Sequence, residues 1–247
     1  MTAGFVLTAW GAYAVAFEPG TPWVPHQLMF ATADLTTNNY LSVFAFKSGA
    51  WQPAVNYPNG ANACGSGTGP AELAFHPSGH WLACANSLAG SVSSFSVGPG
   101  GLLTLIGSVV ATTGCNAPVN TLAFSPNGPI PNLLATGGGF PASVEMFTVA
   151  NGVLTKVGGQ PTGDKNPGVT NSVTFHPTLP LLAAADGSGV SLFGVTPNGA
   201  LTHLAGSPFA VAGNAGPKSL AFSPDGKFLT VGTMSWGSLP RVWMFQL

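Results

Sequence analysis

The chain has 247 residues, 45% of them hydrophobic, which is material for one sizeable core or two smaller ones. Charged residues make up only 5% against a usual share of about 25%, and the formal net charge is −1 with six Lys and Arg in all. Nucleic-acid binding needs clustered cations, so no nucleic-acid partner is expected. With no run of 18 apolar residues, no membrane insertion is expected either.

Along the chain, the first segment, Gly4-Phe5-Val6-Leu7-Thr8-Ala9-Trp10, reads as an apolar strand. Met1-Thr2-Ala3 ahead of it shows no basic region of a secretory signal. Then comes Ala16-Phe17-Glu18-Pro19, the first of five related phrases. The others are Ala74-Phe75-His76-Pro77, Ala123-Phe124-Ser125-Pro126, Thr174-Phe175-His176-Pro177 and Ala221-Phe222-Ser223-Pro224. Their Phe residues are 58, 49, 51 and 47 positions apart. A period near 50 with strand-like content points to the blades of a propeller. Units begin near residues 13, 71, 120, 171 and 218.

Each unit offers four strand slots. The first ends at the Phe, where the following Pro stops pairing and starts a turn. The second is a short apolar run: Leu28–Thr32, Trp81–Ala85, Leu133–Thr136, Leu181–Ala184 and Phe228–Val231. The third alternates with period two, as in Val144-Glu145-Met146-Phe147-Thr148-Val149. A turn such as Asn151-Gly152 or Asn198-Gly199 then leads to the fourth, Leu102–Ile106, Val153–Val157 or Leu201–Ala205. In the first unit the fourth slot is Trp51–Val55, where Pro53 suits an edge strand, and Gly20–Gln27 is an insertion between its first two strands.

The last unit reaches Leu247 after its third slot, and residues 4–10 resemble the missing fourth strand. The expectation is an all-β, five-bladed β-propeller of four-stranded antiparallel blades, its ring closed by the N-terminal strand completing the last blade.

The phrase Ser219-Leu220-Ala221-Phe222-Ser223-Pro224-Asp225-Gly226-Lys227-Phe228-Leu229, with Leu201-Thr202 and Ala205-Gly206-Ser207-Pro208-Phe209 before it, resembles the repeats of lactonase-type propellers. That group includes 6-phosphogluconolactonase-like and YVTN-repeat proteins. The resemblance implies the propeller fold, usually with seven blades where five are counted here. It also implies His, Arg and Glu side chains around the channel mouth. The chain offers Glu72 there but no Arg, because its single Arg, Arg241, precedes a third strand.

Ligands of propellers sit on the loops that lead into the innermost strands. Four residues before each Phe stand Tyr13, Ala71, Asn120, Asn171 and Lys218; three before stand Ala14, Glu72, Thr121, Ser172 and Ser219. Strand alternation sends the two columns to opposite faces. The ligand-binding candidates are Tyr13, Glu72, Asn120, Asn171 and Lys218, with Glu72 the acid or base if the protein is an enzyme. The alternative is that these groups satisfy one another or the loop backbone.

His76 and His176 take the Ser place of the turn motif and so read as hydrogen-bonded turn residues; His26 and His203 read as exposed. No metal signature or cofactor motif is present: Gly65-Ser66-Gly67-Thr68-Gly69 lacks the Lys of a phosphate loop, and Asp186 and Asp225 match turns. Cys64 and Cys115 lie in loops leading into adjacent inner strands, which makes a disulfide between them plausible; that pairing and the low charge would fit an extracytoplasmic compartment. Cys84 falls in an apolar run and reads as a buried free thiol. Trp23, Trp51 and Trp236, in or beside loops, could meet a glycan or an assembly partner. The leading expectation is a binding or structural module contacting a protein or glycan, as a free domain or an assembly subunit, with a lactonase-like hydrolase as the alternative.

Overall fold

The computed structural model of the chain describes residues 12–17, 28–33, 40–47, 50–51, 55–58, 69–98, 101–110, 118–162, 168–187, 189–211, 216–234 and 241–247. These form five antiparallel sheets in a propeller-like arrangement. The first holds β1 (Ala12–Phe17), β2 (Leu28–Ala33), β3 (Tyr40–Lys47), β4 (Ala50–Trp51) and β5 (Val55–Pro58). The second holds β6 (Pro70–Phe75), β7 (Trp81–Asn86), β8 (Ser91–Val97) and β9 (Leu103–Val110). The third holds β10 (Val119–Phe124), β11 (Leu133–Gly138), β12 (Ser143–Ala150) and β13 (Val153–Pro161). The fourth holds β14 (Ser172–Phe175), β15 (Leu181–Ala185), β16 (Val190–Val195) and β17 (Leu201–His203). The fifth holds β18 (Gly216–Phe222), β19 (Phe228–Met234) and β20 (Arg241–Gln246). Strands pair in chain order within each sheet, except that the fourth slot of the first is split: β4 and β5 both pair with β3.

Residues 4–10, the insertion at 20–27, and Cys64, Cys115, Trp23, Trp236 and His26 lie outside the described residues. Cys84 is buried, as its apolar run implies, with its thiol 3.6 Å from both the Ala85 carbonyl and Asn86 Oδ1.

The turns follow their residues. Asn151 and Gly152 both have positive φ, 51° and 77°, as a two-residue hairpin requires. Gly152 also has its missing Cβ directed at Trp81 and Ile106 of the second sheet. The same close approach recurs one sheet on, where Gly199 meets Val157 and Leu133. Ile106 and Val157 sit at matching irregularities in β9 and β13, each beside a register shift against the third strand.

Among the described residues, four junctions between successive sheets are apolar cores. Leu41 and Val43 of the first sheet pack on Leu73, Leu82 and Phe95 of the second. Ala83, Ala85 and Val92 of the second pack on Leu122, Leu134 and Phe147 of the third. Val144 and Met146 of the third pack on Val173, Phe175, Leu182 and Phe193 of the fourth. Val190 of the fourth packs on Leu229 and Val231 of the fifth. Fully burying one such side chain contributes about 1.5–3 kcal/mol. The innermost strands β1, β6, β10, β14 and β18 are in contact in that order. Their leading ends therefore share one face of the molecule with the turns between second and third strands.

Candidate binding face at the leading ends of the inner strands

Most inner strands begin with an irregularity. In β6, Pro70 pairs with Asn86 and Glu72 with Ala85, so Ala71 and Glu72 together oppose one residue. The same shift separates Val119 from Thr121 in β10 and Pro217 from Ser219 in β18, and another falls between Ala12 and Val15 in β1. Asn120, Lys218 and Ala71 are thus bulge residues. A bulge re-aims side chains, so simple alternation does not hold here. Both columns make hydrogen bonds to adjoining sheets.

The column three before the Phe forms a repeated clip. Glu72 Oε2 accepts the Leu122 N–H at 2.7 Å. Thr121 Oγ1 accepts the Val173 N–H at 3.3 Å, and Ser172 Oγ accepts the Leu220 N–H at 3.2 Å. Each side chain holds the amide two residues before the next sheet's Phe. Glu72 replaces a hydroxyl in this series, and the Thr121 hydroxyl also bonds to it. Burial pushes the Glu72 carboxyl above its ordinary pKa, while the bonds from Thr121 and Leu122 oppose the shift.

The column four before the Phe is also engaged. Asn120 Oδ1 accepts the Ser87 hydroxyl at 3.0 Å. Asn171 Nδ2 donates to the Pro217 carbonyl at 3.0 Å, and its Oδ1 accepts Lys218 Nζ at 2.9 Å. Lys218 itself is exposed. Tyr13 lies in β1, and its side chain is outside the described set.

Around these polar groups stand three exposed apolar residues that the sequence reading did not single out. Leu88 (43% exposed) is in the turn after β7, Phe140 (58%) in the turn after β11, and Met234 (52%) at the end of β19. All three occupy the junction between second and third strands. The fourth sheet has a polar turn there: buried Asp186 accepts the Gly189 N–H at 3.0 Å through Oδ1. The available signal was a large apolar residue set among small ones, as in Ser87-Leu88-Ala89-Gly90 and Gly139-Phe140-Pro141. Arg241 opens β20 on the same face and is exposed.

The histidines lie elsewhere. His176 Nδ1 accepts the N–H groups of Thr178 and Leu179 at 3.1 and 2.9 Å, which leaves Nε2–H to donate to the Gly226 carbonyl at 2.9 Å. It therefore ties the turn of the fourth sheet to that of the fifth. His76 bonds Ser78 in the matching turn and stands edge-on to Trp81 and Phe124. His203 is not exposed as expected: it is half-buried, its Nε2–H donates to the Pro161 carbonyl at 2.9 Å, and its ring centroid lies 4.4 Å from that of Phe193.

A family model, WD domain, G-beta repeat, matches residues 107–139 and 204–243. Each segment runs from a fourth strand or its trailing turn through the next inner pair. Comparison with curated proteins gave no match. Among solved structures, a protein from Lactobacillus plantarum is 15% identical with a TM-score of 0.67, covering 99% of this chain and 72% of that one. The periplasmic gluconolactonase PpgL of Pseudomonas aeruginosa is 16% identical with a TM-score of 0.67, covering 90% of this chain and 63% of its own. The β-propeller domain of Myceliophteria thermophila Cps50 (Swd1) is 14% identical with a TM-score of 0.67, covering 96% and 70%. This chain thus spans less than two thirds of that lactonase. The fold is a β-propeller type shared with both lactonase-like and WD40 proteins.

Proposed function

We propose that the chain is a non-catalytic binding module that contacts a partner protein through the face carrying Leu88, Phe140, Met234 and Lys218. The observation that carries this reading is the engagement of Glu72. The carboxylate best suited to chemistry at the mouth serves in the same clip as Thr121 and Ser172. What the face presents to solvent is apolar surface and the exposed cations Lys218 and Arg241, a composition suited to recognising protein. The WD-repeat match and propeller neighbours support a protein-interaction role. A glycan partner would rest on Trp23, Trp51 and Trp236, of which only the backbone of Trp51 is described.

The lactonase-like hydrolase stays as a second reading because burial keeps a proton on Glu72 to higher pH, which suits a general acid. A panel of sugar and aliphatic lactones incubated with the wild type and with Glu72→Gln separates the two. The binding reading expects no turnover that depends on Glu72; a rate lost in Glu72→Gln would overturn it.

A further inference from the structure

An outer strand has a neighbour on one side only, so its free edge is open to pairing unless the sequence blunts it. In the first four sheets the outer strands differ in this respect. The fourth slot of the first sheet is broken into β4, of two residues, and β5, of four, which ends at Pro58. β13 carries the cation Lys156 and ends at Pro161, and β17 has only three residues. β9 has none of these features: it runs eight residues, Leu103–Val110, with no charge and no proline. A register shift at Ile106 bends its second half, which leaves residues 102–105 as a regular edge.

The hydrogen bonds there show which groups point outward. Bonded and non-bonded pairs alternate along antiparallel strands. The Gly98 N–H donates to the Leu102 carbonyl at 2.8 Å, so these two form a bonded pair. The next pair, Val97 with Leu103, is therefore non-bonded, and the Val97 N–H turns away to the His80 carbonyl at 2.8 Å. Ser96 with Thr104 is bonded again, and Phe95 with Leu105 is not. The N–H and C=O groups of Leu103 and Leu105 thus face out of the sheet, and among the described residues β9 pairs with β8 alone. The side chains beside them are open too, Leu102 at 60% and Leu105 at 43% exposure. In the place of Leu105, β13 has Lys156, paired with Glu145, and β17 has His203, bonded to the Pro161 carbonyl.

We propose that this edge is an interaction surface for the same edge of a second copy of the chain, the two strands running antiparallel about a twofold axis at Thr104. The occupant follows from complementarity of the backbone groups. In this register Leu103 meets Leu105 of the second copy and Leu105 meets the second copy's Leu103, so outward N–H and C=O groups pair with each other. Thr104 stands opposite its own copy as a non-bonded pair, where side chains are close and Thr–Thr contacts are favourable. A charge-free edge meets its copy without like-charge repulsion. The contact is isologous and closes at a dimer. It is independent of the binding face proposed above, which lies at the leading ends of the inner strands.

The test is the light-scattering mass of the 247-residue chain across a concentration series, with Leu105→Lys and Val153→Lys beside the wild type. Val153 is similarly exposed, at 51%, but stands on β13, so it controls for the loss of any exposed apolar residue. The expected results are a wild-type mass that doubles with concentration and then levels off, a monomer for Leu105→Lys, and a dimer for Val153→Lys. A wild type that stays monomeric at every concentration overturns the proposal, as does a mass that climbs beyond the dimer, a Leu105→Lys chain that still dimerises, or equal loss in both variants. Should Leu105→Lys fail to fold by circular dichroism, Thr104→Cys decides. Opposed non-bonded residues have Cα atoms about 4.5 Å apart, within disulfide reach, so mild oxidation should link position 104 to position 104 of a second copy. Peptide mapping that finds no such cross-chain link contradicts the proposal.

Discussion

Glu72 shows how one residue sets the reading of the mouth. Its carboxylate accepts the Leu122 N–H across a sheet junction, a role that neighbouring junctions give to Thr121 and Ser172. Leaving the buried amide unpaired should cost about 1–3 kcal/mol, so Glu72→Ala and Thr121→Val should each lower stability by that amount in urea titrations. Glu72→Gln keeps an oxygen for Leu122 and should cost less. The pH dependence has a definite sign. Because the folded protein raises the Glu72 pKa, its proton is held more tightly when folded. That contribution is complete below the ordinary glutamate range and is lost as pH rises through the raised value. Glu72→Gln should therefore flatten the fall of stability over that interval, measured by urea titration at stepped pH; an unchanged slope would show that the carboxyl is not shifted by burial. The column itself was legible in the sequence, since it follows from counting back from Phe75, Phe124, Phe175 and Phe222. Its hydrogen bonds were not, because they join residues about 50 positions apart whose register depends on bulges that no local pattern marks.

Strands and turns were the most legible elements. Alternation in Val144–Val149 and the Asn151-Gly152 dipeptide each state a local preference that the fold keeps. The turn glycines also carry a longer-range demand. Gly226 has a φ of 75° and faces the His176 ring in the preceding sheet, so a side chain there meets both a strained backbone and a filled space. Gly226→Ala should cost more than the roughly 1 kcal/mol of strained backbone alone and should break the bond from His176 to its carbonyl. Thermal unfolding of Gly226→Ala against Gly206→Ala tests this. Gly206 has a φ of 82° but open space around its missing Cβ, so it isolates the backbone term. The larger loss should belong to Gly226→Ala; equal losses would mean that His176 gives way.

At the scale of the molecule, the repeat near 50 residues predicted five four-stranded blades; the described residues form five antiparallel sheets, three of them four-stranded, one five-stranded and one three-stranded. The ring-closing pairing of residues 4–10 lies outside the described residues. The binding face was less legible than the fold. Leu88, Phe140 and Met234 are ordinary apolar residues in sequence, and only the shared turn position places them on one face. The most direct test of the protein-binding account puts a photo-crosslinking residue at Phe140, on that face, or at Leu102, which is similarly exposed at 60% but stands in the turn ahead of the outer strand β9. Irradiation in the native cells should join the chain to a distinct partner protein from position 140 and not from position 102. Crosslinks from 102 but not from 140, or none from either position, would contradict the account.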